Sequence, residues 1–363
     1  MKLLFFINGL TGGGAGRVMA ILMNKFVEQG HTIRVVCTAS LQSTVYELDP
    51  RIQQVNMLSG GPSVNSSFFN KIYRHVWKYY AIRKEAQTYN PDIVVSFVRK
   101  QNNDVLLALL GTGIKVVIGD HTNVDRKYPV ITSVLSNLLY RKASAITMLT
   151  QQDYNKWKTR YKQVYYLPNP CEVTLTSQNT SRRKVVLAVG RVYQWDIKGF
   201  DNLMRVWNKI KSKYPDWKCQ IAGNYNEEAI AQLKRKVTEE EFNSVELLGY
   251  RDDVYELMLQ SEVFCLPSRF EGMPMALLEA LSLGCACVSF NCNTGPSEMI
   301  EDNVNGLLVR DQDTDALGEK LERIITDESM RKRFHSIAPL SVQKFSVDNI
   351  IIQWNKMLND ILE

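Results

Sequence analysis

The chain begins MKLLFFINGLTGGGAGRV, residues 1–18, and this stretch decides how the rest is read. Residues 3–7 are an apolar run without polar alternation, which suits a strand buried on both faces of a parallel sheet. Gly12, Gly13, Gly14 and Gly16 follow at once, and a helical pattern through 18–26 comes next. Strand, glycine turn and helix form the opening unit of a doubly wound α/β layer. A buried strand is expected here rather than a secretory leader, because LLFFI is too short for a leader's apolar region and glycines follow at once.

The same pattern recurs along all 363 residues. Apolar runs predict strands over 3–7, 33–37, 93–97, 116–118, 145–149 and 164–167. A second set falls over 185–189, 219–222, 245–247, 263–266, 286–290 and 306–309. Helical patterns separate them. Pro168-Asn169-Pro170 and the polar run TLTSQNTS mark a break between two such halves. The expected organisation is an N-terminal Rossmann-like domain over 1–170, a linker over 171–184, a C-terminal Rossmann-like domain over 185–345, and a closing helix over 346–363. Ile350, Ile351, Trp354, Met357, Leu358 and Ile361 stand at helical spacing in that last segment.

Composition narrows the classes. At 45% apolar, 10% aromatic and 23% charged residues, the chain is neither disordered nor short of core. No apolar run approaches the roughly 18 residues of a spanning helix. The net charge of +6 hides an asymmetry: residues 1–170 hold 21 Lys and Arg against 9 Asp and Glu, and 171–363 hold 23 against 29. A basic first half suits an anionic surface or substrate. Seven cysteines, at 37, 171, 219, 265, 285, 287 and 292, lie mostly in apolar runs without framework spacing, so free thiols in a reducing compartment are expected. Neither they nor the four histidines have metal-ligand spacing.

Three groups of residues could carry chemistry. The glycines at 12–16 suit either a tight strand–helix turn or phosphate bound at a helix N-terminus. The spacing fits a nicotinamide-dinucleotide fingerprint poorly: Gly14-x-Gly16-x-x reaches Met19, and the next strand ends Val36-Cys37-Thr38 without an acidic residue for a ribose. Gly190-Arg191, with Lys198-Gly199 seven residues on, offers two cations at a strand's carboxyl end. They are either solvated surface charges or a diphosphate clamp. The third is Ser268-Arg269-Phe270-Glu271-Gly272-Met273-Pro274-Met275-Ala276-Leu277-Leu278-Glu279-Ala280. Pro274 starts a helix there, so the amides of Met275 and Ala276 face an anion, Glu271 reaches the group attached to it, and Glu279 accepts from hydroxyls. Capping explains Glu271 alone but not a partly buried Glu279.

Together these residues resemble a retaining glycosyltransferase of family 4. The matching pieces are Gly12–Gly16 with Arg17-Val18, Asp120-His121-Thr122-Asn123, LPNP at 167–170, Gly190-Arg191 with Lys198-Gly199, Glu271 with Glu279, GPSEMI at 295–300 and NGLLV at 305–309. The resemblance implies the GT-B fold, two Rossmann-like doubly wound domains facing each other across a cleft. It implies that Arg191 and Lys198 bind the donor diphosphate and stabilise the leaving group without a metal, and that no cofactor is needed. Glu271 would hold the donor sugar, and the amides of Gly272, Met273, Met275 and Ala276 would line sugar and phosphate. Glu279 would bind the ribose, and Gly13 and Gly14 would meet the diphosphate. His121, by itself as readily a structural histidine, would contact the donor sugar. Leaving-group departure and acceptor attack on one face assigns no covalent residue.

The segment 68–86, FFNKIYRHVWKYYAIRKEA, sets Phe69, Ile72, Tyr73, Val76, Trp77 and Tyr80 on one stripe and Lys71, Arg74, His75 and Lys78 on another. It is either a helix packed on the sheet with a solvated basic face, or a helix meeting anionic head groups or a polyprenyl diphosphate. No nucleic-acid motif is present. The expected function is transfer of a hexose or N-acetylhexosamine from a UDP-sugar to a lipid-linked glycan, at the cytoplasmic face of a membrane, in polysaccharide or oligosaccharide assembly. UDP follows from the resemblance, with Arg251 in the Gly249-Tyr250-Arg251 turn as the candidate for the base pocket. A nucleotide-sugar epimerase on the same fold is the alternative and lacks a visible acid/base set for deprotonating carbon. An NAD-dependent oxidoreductase is disfavoured by the glycine spacing.

Overall fold

The computed structural model describes residues 1–10, 12–38, 45–57, 68–120, 128–172 and 181–363, with the side chains of 68–72 outside that description. The chain divides into two compact units, Met1–Pro170 with Val347–Glu363, and Cys171–Ser346.

The first unit runs β1 (Lys2–Ile7), α1 (Gly14–Glu28), β2 (Thr32–Cys37), β3 (Gln53–Asn56), α2 (Phe68–Tyr89), β4 (Ile93–Phe97), α3 (Arg99–Ala108), β5 (Lys115–Gly119), α4 (Val130–Leu139), β6 (Ala145–Met148), α5 (Gln151–Trp157) and β7 (Val164–Tyr166). Its seven strands are parallel, in the order β3-β2-β1-β4-β5-β6-β7. Leu3–Ile7 are buried throughout, because alternate side chains enter opposite layers. Leu4 and Phe6 pack with Ile82 and Ala86 of α2, Val105 of α3 and Trp157 of α5.

The second unit runs β8 (Arg183–Val189), α6 (Trp195–Lys198), α7 (Phe200–Ile210), β9 (Lys218–Ala222), α8 (Glu227–Lys236), α9 (Glu239–Asn243), β10 (Glu246–Gly249), α10 (Val254–Gln260), β11 (Ser261–Leu266), α11 (Met275–Ser282), β12 (Ala286–Asn291), α12 (Pro296–Met299), β13 (Gly306–Arg310), α13 (Thr314–Thr326) and α14 (Glu328–Ser341). Its six parallel strands lie in the order β10-β9-β8-β11-β12-β13. The last helix, α15 (Val347–Leu362), belongs to the first unit, where Trp354 meets Phe26 and Phe97.

Both sheets are the expected doubly wound Rossmann-like layers, with the strand order reversing beside β1 and beside β8, where such sheets place ligands. Several local details differ from expectation. The polar edge strand β3, QQVN, was not expected, since it has no apolar run. Helix α1 starts at Gly14, so Gly14 and Gly16 lie inside its first turn and only Gly12 and Gly13 form the turn ahead of it. Pro274 caps α11 from outside, with the helix starting one residue later. In α2, Tyr73, Val76 and Tyr80 are exposed rather than packed, while Trp77 of the same stripe is partly buried against the core and full burial begins at Ile82. Lys78 leaves the expected basic stripe to pair with Asp104 at 2.6 Å.

Candidate active site

In the second unit the carboxyl ends of β8 and β11 bring together residues that are far apart in sequence. After β8 the chain turns at Gly190-Arg191, a turn that Gly223 allows: a Cβ on Gly223 would stand 1.7 Å from the Gly190 carbonyl oxygen. Arg191 precedes a short 3-10 turn over Val192–Gln194. Lys198 ends α6, and Gly199 follows in the left-handed region. A Cβ on Gly190 would meet the Lys198 stem at 3.3 Å, so the lysine lies along the Gly190 turn.

Lys198 Nζ donates to Glu271 Oε1 at 2.7 Å, and Ser268 Oγ donates to the same oxygen at 2.7 Å. Both side chains of the ion pair are largely shielded, at 22% and 9% exposure for Lys198 and Glu271. Among the described residues no hydrogen bond reaches Glu271 Oε2. The Glu271 carbonyl accepts from Thr294 Oγ1 at 2.9 Å. Gly295 then passes so close that a Cβ there would lie 2.2 Å from the Gly272 carbonyl oxygen. The 295–300 segment is thereby placed against the loop carrying Glu271.

Helix α11 begins just beyond that loop. Its first backbone bond runs from Leu278 N to Pro274 O, so the amides of Met275 and Ala276 have no acceptor within the helix. No acidic residue occupies its first turn, so none of its own side chains offsets the positive end of the dipole. Met273 and Met275 are buried beside it, and Glu279 is fully buried, more deeply than expected.

A second ion pair ties the two halves of the site together. The Arg269 guanidinium donates to both Asp201 carboxylate oxygens, at 2.7 and 2.9 Å, and Arg269 N donates to Ile197 O at 2.8 Å. The loop before Glu271 is thus fastened to the α6–α7 junction that carries Lys198. Burial pushes the Asp201 carboxyl up, but the bonds from Arg269 and Arg205 outweigh it and hold the group below its ordinary value. Sequence reasoning missed Asp201 and Thr294, and it quoted Ser268 and Arg269 within the motif without giving them a role. The local signal was a charged Asp201 inside an apolar helix start, and a serine three residues before a glutamate.

Arg251 does not join this group: it is exposed, its guanidinium pairs with Asp253, and β10 lies two strands from β8. In the first unit Gly12 and Gly13 have φ of 119° and 101°, and Tyr46 OH donates to Gly13 O at 2.8 Å. Buried Arg99 grips Asp120 Oδ2 at 3.0 and 2.7 Å, and the Val98 amide and Asn102 Nδ2 both donate to Gly119 O at 3.0 Å. These bonds pin the end of β5. His121, one residue on, lies outside the described residues.

Comparison with known proteins follows the same division. Residues 12–174 match the family model Glycosyltransferase Family 4, and residues 176–340 match Glycosyl transferases group 1. Over 369 residues the chain is 27% identical to an α-1,4-N-acetyl-D-galactosaminyltransferase of Campylobacter jejuni named for a GalNAc-α-(1→4)-GalNAc-α-(1→3)-diNAcBac-PP-undecaprenol substrate, covering 99% of each. It is 27% identical over 377 residues to the amylovoran biosynthesis glycosyltransferase AmsD of Erwinia amylovora, again covering 99% of each. In structure it superposes on Anabaena HepE, solved in complex with UDP and glucose, with a TM-score of 0.81, 18% identity and 99% of each chain covered. The strand order of both units and the matches that run through them agree: the chain has the GT-B fold and belongs to the glycosyltransferases, with a Family 4 N-terminal half and a group 1 C-terminal half.

Proposed function

We propose that this glycosyltransferase moves a hexose or N-acetylhexosamine from a UDP-sugar to a polyprenyl-diphosphate-linked glycan, with retention of configuration and without a metal ion. The observation that carries the reading is the convergence of Lys198 and Ser268 on one oxygen of Glu271, beside the N-terminus of α11. Lys198 and Arg191 supply positive charge where a diphosphate leaving group develops negative charge, and the free amides of Met275 and Ala276 add the helix dipole. With Oε1 occupied by its two donors, Glu271 presents Oε2 to a hydroxyl of the donor sugar. Glu279, buried in α11, is assigned to the ribose. His121 is assigned to the donor sugar, and Gly13 and Gly14 to the diphosphate. Arg251 is left a base-pocket role only if its pair with Asp253 opens.

The relatives support the donor and acceptor classes: the C. jejuni enzyme is named for an undecaprenyl-diphosphate glycan, and HepE was solved with UDP and glucose. Among the described residues no helix is long and apolar enough to cross a membrane, so the reading places the enzyme against the membrane surface through its basic first unit. The reaction is tested by nucleotide release from a panel of UDP- and GDP-sugars, with EDTA present and membrane lipid extract as acceptor. Release from a UDP-sugar is expected to depend on the extract and to fall about 10²–10³-fold in Lys198→Ala and Glu271→Gln. Undiminished release in both variants, or restoration only by added metal, would refute the assignment.

A further inference from the structure

Helix α4 is built inside out. Its sequence, VITSVLSNLL, sets Val130, Ile131, Val134, Leu135 and Leu138 on one stripe at spacings of i, i+1, i+4, i+5 and i+8. An aliphatic stripe of that kind ordinarily faces the core. Here Val130, Ile131, Val134 and Leu138 are 78%, 83%, 52% and 61% exposed, while the residues turned inward are Ser136 and Leu139. The inward serine is fitted to its place: Ser136 Oγ accepts from Asn103 Nδ2 at 2.9 Å and donates to Thr132 O at 2.8 Å. A polar contact to α3 and the buried Leu139 thus occupy the inward side, and the aliphatic ridge is the outward one. Contiguous apolar surface of this kind marks a docking face.

The surroundings identify what docks. On the far side of α3, in the same layer, α2 exposes Tyr73, Val76 and Tyr80. Arg141 and Lys142 directly follow the ridge and are exposed, as are Arg74, Lys84, Lys158 and Arg160 on the neighbouring elements. The acidic residues of α2, α3 and α5 offer no counter-field: Glu85 pairs with Arg34, Asp104 with Lys78, and Asp153 is buried. Aliphatic side chains bordered by cations and by tyrosines are complementary to an anionic bilayer surface, whose interior takes the ridge and whose head groups take the charges. A protein partner would need no such uniform sign.

We propose that α4 is the element that enters the membrane, with Val130, Ile131, Val134 and Leu138 in the interfacial layer and Arg141 and Lys142 on anionic head groups. The inference rests on the reading that the acceptor is membrane-held, and its test is independent of turnover. Full-length protein is sedimented with vesicles of phosphatidylcholine alone or with phosphatidylglycerol added. The wild type is expected to bind the anionic vesicles, and Ile131→Glu with Leu138→Glu to lower partitioning on the order of a hundredfold. Both positions are solvent-exposed, so folding is retained, which circular dichroism and an unchanged urea midpoint check. A Val134→Trp probe is expected to shift its emission to the blue and to be quenched by brominated lipid. UDP binding is expected to be unchanged in the double variant, which separates failure at the lipid from failure of the donor site. Equal vesicle binding by wild type and double variant would overturn the proposal. So would a wild-type dimer that the variant converts to monomer with no lipid bound, since the ridge would then join two copies.

Discussion

Replacing Gly199 by alanine tests the geometry that brings Lys198 to Glu271. Gly199 has φ of 66°, and a Cβ there would lie 1.8 Å from the Pro267 carbonyl oxygen and 2.8 Å from its carbon. Holding alanine in the left-handed region costs about 1–2 kcal/mol. The overlap is with backbone, so it is relieved only by moving one chain segment off the other, at about 1–3 kcal/mol more. The expected destabilisation is therefore about 2–5 kcal/mol. Gly249 provides the control within the same unit: its φ is 71°, but the nearest atom to a Cβ is Tyr225 Cε1 at 3.8 Å. Gly249→Ala is expected to cost only the conformational part, about 1–2 kcal/mol. The midpoints of urea unfolding, measured side by side, give the difference. Lys198 precedes Gly199, and Ser268 follows Pro267, so the movement that relieves the overlap also draws the lysine from the glutamate. Nucleotide release is expected to fall in Gly199→Ala beyond what the loss of folded protein explains. Equal midpoints for the two variants, or wild-type release by folded Gly199→Ala, would refute the reasoning.

Two further expectations follow from groups that support the site. Asp201 is held below its ordinary value in the folded state, so its contribution is present above the unfolded pKa and is lost as pH falls through the folded one, below about pH 4. Asp201→Asn is expected to cost about 2–3 kcal/mol at pH 7 and progressively less as the pH falls below about 4; a loss that does not change with pH in urea titrations would contradict the assigned pair. All seven cysteines are free and buried, and burial pushes the thiols of Cys265 and Cys292 up to about 12. An aromatic disulfide reagent at pH 8 is expected to titrate none of them in the native protein and all seven after unfolding. Prompt reaction of any native thiol would show that its strand opens.

Local chemistry was enough for the layers. Runs such as Leu3–Ile7 and Ile93–Phe97 are apolar without alternation, and only a strand covered on both faces uses such a run, so the two parallel sheets were legible before any coordinates. The glycines at 12, 13, 199 and 295 were visible as well, but the reason for the last two lies in a passing backbone segment: Pro267 and Gly272 respectively. Edge strand β3 escaped notice because an edge needs little burial, and so its residues need not be apolar. The motif around Glu271 was readable as a loop and helix start. Its bond to Lys198, across 73 residues, depends on β8 and β11 lying side by side and on Arg269 fastening their following segments. Helix α4 marks the sharpest division. Its aliphatic stripe would fit a core, but in the structure Ser136, bonded to Asn103, and Leu139 take the inward positions and the stripe meets solvent. A periodic pattern states that one face of a helix is apolar; which neighbour that face meets is set by hydrogen bonds and packing between segments that no local window contains.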